Sequence, residues 1–161
     1  MEMVLPDLFV AEVQDSVPDV AMQVAALCWR MHKGKVQVLL ITSRDTGRWV
    51  IPKGWPIAGL TRAAAAAREA WEEAGVEGRV QDASLGAFGY DKLERGEASV
   101  RCSVAVHALR VRGLKTHFPE AGQRRRVWFA AQAAADLVAE PELQSLLRHI
   151  DLNPGVLRRH G

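Results

Sequence analysis

Cysteine is scarce, and the two present, Cys28 and Cys102, stand far apart inside apolar stretches. Neither has the spacing to a second Cys or His that a metal centre needs, which argues against a disulfide framework and a thiolate metal site. They read as reduced core residues of a cytoplasmic protein. No apolar run approaches the roughly 20 residues needed to cross a bilayer, and the acidic start MEMVLPDLF is not a secretory signal. No membrane partner is expected. A net charge of +2 is too small to argue for nucleic-acid binding. Internal repeats are absent, and none of the five histidines has ligand spacing with another His or Cys. His32 and His117 fall in turns and His107 in a strand. What remains is ordinary globular composition, 48% hydrophobic and 25% charged. It fits a single domain over 1–161, with an irregular start (1–17), a loose tail (152–161), and a monomer or homodimer as its assembly.

One short segment is not ordinary. TRAAAAAREAWEEAG, residues 61–75, reads as a helix. Thr61 is a good N-cap, the alanine run has high helix propensity, and Gly75 suits a left-handed closing residue. Its last turns carry Glu69, Glu72 and Glu73, at the negative end of the helix dipole. Each exposed carboxylate there costs about 0.3–1 kcal/mol. At about 100° per residue the three share one arc, with Trp71 nearly opposite as the large anchor of an alanine face. A solvated surface helix with an Arg68–Glu72 pair is one reading. A cation held by the carboxylates is the other.

The flanking residues favour the cation. From Gly54 the chain reads GWPIAGLTRAAAAAREAWEEAGV, which closely resembles the Nudix box. Gly54, Arg68, Glu69, Glu72, Glu73, Gly75 and Val76 fall on that pattern at the right spacing. Leu60 stands where the family has its first Glu, and Ala70 is smaller than the usual aliphatic residue. The resemblance implies that Glu69 and Glu73 ligate Mg²⁺, with Mn²⁺ as a substitute, and that the backbone carbonyl of Lys53 adds a further ligand. It implies that Glu72 is either the general base or another ligand, and that Arg68 orients a carboxylate. Such oxygen donors suit a hard cation and hydrolysis of a diphosphate linkage.

The rest of the chain agrees. Strands are expected at 24–29 and 36–42 around the turn HKGK, at 48–51, and in a long hairpin of 78–90 and 99–111 around DKLERGEA. A last strand at 126–129 precedes helices at 131–139 and 141–149, the second opened by Pro141. This order predicts an α/β protein, an α/β/α sandwich with a central mixed β-sheet. The resemblance implies the same Nudix fold.

SRDTGRWVIPKGWP, joined to the box, is similar to the diphosphoinositol polyphosphate phosphohydrolase branch of that family. Arg44 and Arg124 fall at that branch's phosphate-contacting arginines, and an arginine fork suits phosphate oxygens. Lys53, Gly54 and Arg48 complete the candidate substrate contacts, while alternation along a strand lets at most two of Arg124, Arg125 and Arg126 share a cleft. Where that branch carries a basic cluster on its first strand, this chain reads VAMQV. Trp55 is the tryptophan to watch, because it sits in the loop beside the expected cleft. The leading reading is a Mg²⁺-dependent pyrophosphohydrolase acting on a diadenosine polyphosphate or a diphosphoinositol polyphosphate. An RNA 5′-end pyrophosphohydrolase and a non-catalytic nucleotide-binding module are the alternatives.

Overall fold

The computed structural model describes residues 20–92 and 99–158. The expected irregular start, most of the DKLERGEA tip and the last three residues lie outside them. The centre of the fold is β1 (Val20–His32), whose VAALCW run is apolar without interruption because both of its faces are covered. Val24, Ala26 and Cys28 face one core, and Ala25, Leu27 and Trp29 face another.

β1 turns tightly into β2 (Lys35–Thr42), with Lys33 and Gly34 at positive φ, and the two pair antiparallel from Trp29 to His32. Further back along the same edge, β1 takes a different neighbour. There it pairs with β4 (Lys53–Gly54), Val24 opposite Gly54 and Ala25 opposite Lys53. The expected strand at 48–51 is the two-residue β3 (Trp49–Val50), paired with the end of β2. On its other edge β1 runs parallel to β7 (Val100–Leu114) over ten register pairs, which makes the sheet mixed.

The expected long hairpin is corrected. Its first arm is two strands, β5 (Val76–Val80) and β6 (Gly86–Lys92), which pair antiparallel with opposite ends of β7. The break falls at Gln81 to Leu85, where Gln81 N donates to Ala108 O and Leu85 N to Val106 O. β8 (Arg126–Ala130) completes the sheet against β2.

Helix α1 (Arg62–Ala74) covers the first face. Thr61 accepts from Ala64 N at 3.1 Å, and Gly75 closes the helix at φ 66°, as the sequence predicts. The buried stripe differs from expectation. Ala65, Ala66, Ala70 and Ala74 pack into the core against the sheet, whereas Trp71 is half-buried at the helix edge, 6.5 Å from the Phe118 ring. Methyl groups let the helix lie close, and an indole has no room there.

The second face carries α2 (Ala131–Leu137) and α3 (Pro141–Leu152), packed on each other and on β2 and β6. The three layers are the expected α/β/α sandwich. The loose tail is not. Pro154–Arg158 forms a 3₁₀ turn that seats Leu157, fully buried, in the core beneath α3. Leu157→Ala is expected to lower unfolding free energy by about 2–5 kcal/mol in urea denaturation; a loss near zero would mean that the tail does not pack.

Candidate active site

The split edge of β1 builds the site. Where β2 leaves, the chain from Ile51 to Gly54 moves in, tied by Ala26 N to Pro52 O at 3.0 Å and by the β4 pairing. This brings Gly54 against α1 so closely that a Cβ added there would lie 2.5 Å from Glu69 Cδ. Only a residue without a side chain lets the Glu69 carboxylate occupy that place.

Glu69 and Glu73, one turn apart, share a hydrogen bond. Glu73 is 8% exposed, and burial, then its bond to Glu69, push its carboxyl from the ordinary 4.5 up to about 8; Arg124 opposes the shift. Burial also raises Glu69, with Glu72 and Glu120 adding negative charge. Two neighbouring carboxyls, Glu73 buried and Glu69 half-buried, mark a place suited to a cation. Among the described residues no three His, Cys, Asp or Glu side chains are gathered tightly enough to hold a metal by themselves. The pair therefore needs backbone oxygens or a further carboxylate.

A third acid, Glu120, borders the same cleft, and the sequence reading missed it. Glu120 N donates to Glu72 O at 3.0 Å and Lys115 N to Gly75 O at 2.8 Å, so the 115–125 loop is stitched to the end of α1. Arg124 Nη2 lies 3.0 Å from Glu120 Oε1 and 4.0 Å from Glu73 Oε1, while Nη1 donates to Thr42 O at 3.2 Å. Its side chain is only 11% exposed. A lone acid in THFPEAGQRRR offers a weak signal, and only the loop's return to α1 reveals it.

These groups line a cleft of about 470 Å³ with Lys53, Gly54, Arg44 and Trp55. Arg44, 55% exposed, stands at the rim, donating to Gln123 Oε1 at 2.9 Å and facing Glu120 at 4.0 Å. Lys53 Nζ sits 5.0 Å from the Tyr90 ring centre; burial lowers its pKa, while Glu73 and Glu140 act against that shift. Tyr90 itself donates to the buried Gln23 at 2.7 Å on the cleft wall.

Other candidates lie elsewhere. Glu72 is half-buried beside the pair and does not line the cleft. Arg68 is exposed and, among the described residues, makes no ion pair or side-chain hydrogen bond. Arg48 pairs with Glu140 at 3.7 Å and is not part of the cleft lining. Arg125 lies over the Trp49 ring, and Arg126 Nη1 donates to Ala74 O at 2.7 Å. So alternation sends Arg124 and Arg126 to the α1 side and Arg125 away. Leu60, at the departing box position, is also outside the cleft lining, in a turn closed by its own N–H to Ile57 O at 3.0 Å.

The NUDIX domain model matches residues 21–150, and the chain belongs to that family. Its curated relatives are Nudix hydrolases. It is 34% identical over 120 residues to Nudix hydrolase 13, mitochondrial, of Arabidopsis thaliana, covering 71% of this chain and 59% of that protein. With Nudix hydrolase 16, mitochondrial, of the same plant it shares 36% over 120 residues, covering 72% and 66%. The chain thus spans roughly three-fifths to two-thirds of these relatives' length. A solved C. elegans Ap4A hydrolase shares the fold at TM-score 0.59 and 20% identity, covering 83% of this chain and 97% of that one. The relatives' names overturn the cytoplasmic expectation, since both are mitochondrial proteins. Buried free thiols at Cys28 and Cys102 do not identify a compartment.

Two outcomes are expected. Gly54→Ala is expected to displace the Glu69 carboxylate, weakening Mg²⁺ binding measured by calorimetry about 10–100-fold while unfolding stays cooperative; wild-type affinity would refute the packing argument. Because the fold prefers Glu73 protonated, its stabilising contribution is present below pH 4.5 and is lost as pH rises through about 8. With EDTA, the melting temperature is expected to fall across that window, and Mg²⁺ to restore it most at the alkaline end. A Glu73→Gln variant whose melting profile kept the full slope would remove Glu73 as the cause.

Proposed function

We propose that this chain hydrolyses a phosphoanhydride bond in a small polyphosphorylated molecule. The observation that carries the reading is the Glu69–Glu73 pair, with Glu69 set against Gly54 and Glu73 buried, facing a cleft bordered by Arg44, Lys53 and Arg124. Glu69 and Glu73 are the ligands of Mg²⁺, or of Mn²⁺ in its place, helped by the Lys53 carbonyl and by Glu72 or Glu120. When bound, the cation neutralises charge on phosphoryl oxygens and makes a water more acidic.

The chain's own groups do the rest. Glu120 and Glu72 are the carboxylates nearest the pair and serve as candidates to accept the water's proton. Arg44 and Lys53 bind phosphate oxygens at the rim, and Arg124 does so deeper in the cleft once a phosphate competes with Glu120 for its guanidinium. Arg68 holds its proposed orienting role only if a carboxylate turns towards it.

For the substrate we favour a diadenosine polyphosphate or a diphosphoinositol polyphosphate. Arg44 and Arg124 support a highly charged ligand, and the family fold serves an Ap4A hydrolase in C. elegans. The test is phosphate release with Mg²⁺ from diadenosine polyphosphates, inositol pyrophosphates, nucleotide sugars and triphosphorylated RNA. Turnover is expected with the first two classes, and Glu73→Gln is expected to lower kcat by about a hundredfold or more. Preference for the RNA would move the substrate to 5′ ends. Binding without hydrolysis of any of them, with Mg²⁺ or Mn²⁺, would make the chain a nucleotide-binding module.

A further inference from the structure

A second cluster of cations lies at the opposite end of β1, roughly 16 Å along the strand from Val24 at about 3.3 Å per residue. Trp29, Arg79, Gln81, Arg110, Leu157 and Arg158 line a pocket of about 170 Å³. It is separate from the catalytic cleft, and the two share no lining residue.

Its lining is one-sided. Arg79 and Arg110 are register partners across β5 and β7, a placement in which like charges repel. Arg110 and Arg158 lie 5.3 and 5.8 Å from the Trp29 ring centre. No acidic side chain lines the pocket, and none of the three arginines has an ion pair among the described residues. The Trp29 indole nitrogen is buried without a hydrogen-bond partner, a group that can only donate. Gln81, the remaining polar side chain, spends its amide N–H on Leu157 O.

We propose that this pocket binds a small tetrahedral oxyanion, a phosphate group, between Arg79, Arg110 and Arg158. Three guanidinium forks supply paired donors in the geometry that phosphate oxygens accept. Bringing an anion between Arg79 and Arg110 turns a repulsive cross-strand pair into two attractive contacts. The volume limits the ligand. It is below the about 300 Å³ at which drug-sized ligand sites begin, so a phosphate fits and a whole nucleotide does not. Gln81 and Leu157 fix the floor, because the 3₁₀ turn that presents Arg158 is held by that hydrogen bond and by the burial of Leu157.

The experiment titrates inorganic phosphate into the full chain with EDTA present, following tryptophan indole resonances by ¹H–¹⁵N NMR. The Trp29 signal is assigned from a Trp29→Phe variant. Phosphate is expected to shift the Trp29 resonance saturably and to raise the melting temperature. The Arg110→Gln/Arg158→Gln double variant is expected to weaken that response by about tenfold or more, with phosphate release from the cleft substrate unchanged. Arg79→Gln alone is expected to weaken it less. Three results would overturn the proposal: no Trp29 shift, an equal shift with sodium chloride at matched ionic strength, or a shift that survives in a double variant retaining the wild-type far-ultraviolet circular dichroism. The Trp29 shift and the melting response do not depend on whether the cleft hydrolyses anything.

Discussion

The C-terminal end of α1 is the constraint on which the rest depends. A helix leaves its last carbonyls without intrahelical partners, and here they lie under a loop and beside the buried Glu73. The chain answers from three directions. Arg126 reaches over from β8 to Ala74 O, Glu120 N takes Glu72 O, and Lys115 N takes Gly75 O. No basic residue stands in the helix's own last turn, so the countercharge to its dipole arrives from elsewhere in the sheet. Gly75 makes this approach possible. Beyond its positive φ, a Cβ there would lie 2.5 Å from Phe118 and 2.9 Å from Lys115 O. The same docking that caps the helix delivers Glu120 and Arg124 to the carboxylate pair.

Legibility in the sequence followed the range of the interactions. The caps of α1 were readable because Thr61 and Gly75 act within a turn of themselves. The central strand was readable because a run covered on both faces leaves no polar interruption. The acid pair was readable because one helical turn separates Glu69 from Glu73. Glu120 was not, since its place depends on backbone bonds formed only after the loop returns to α1. The rotation of the alanine stripe was hidden for a related reason. Helical geometry gives the angle between Trp71 and the acids, but the sheet decides which side chain is small enough to touch it. The 3₁₀ tail looked loose because Pro154 and Gly155 suggest a break, whereas a single leucine beyond them reaches the core.

Charge in the cleft is arranged as a contest between internal and external partners. Arg124 is nearly buried and already engaged by Glu120, Glu73 and the Thr42 carbonyl. Arg44 is half exposed and shares Glu120 with it. Without a ligand these contacts keep the acids from repelling one another freely. An arriving anion can draw on the same guanidinium groups, and a cation on the same carboxylates, so each releases groups the other can use. The far cluster around Trp29 has no acid in its lining, so no such exchange is available there.

The close fit of Gly54 against Glu69 has a mechanical consequence. The carboxylate occupies the volume that a side chain would fill on the neighbouring loop, so loop and helix behave as one part. A shift of β4 along β1 would carry the Glu69 oxygens with it, and a bound ion would in turn hold the loop in register. Any movement of the 51–60 segment, with Trp55 on the cleft wall, would therefore be geared to the position of the Glu69 carboxylate, with the absent Cβ as the bearing between them.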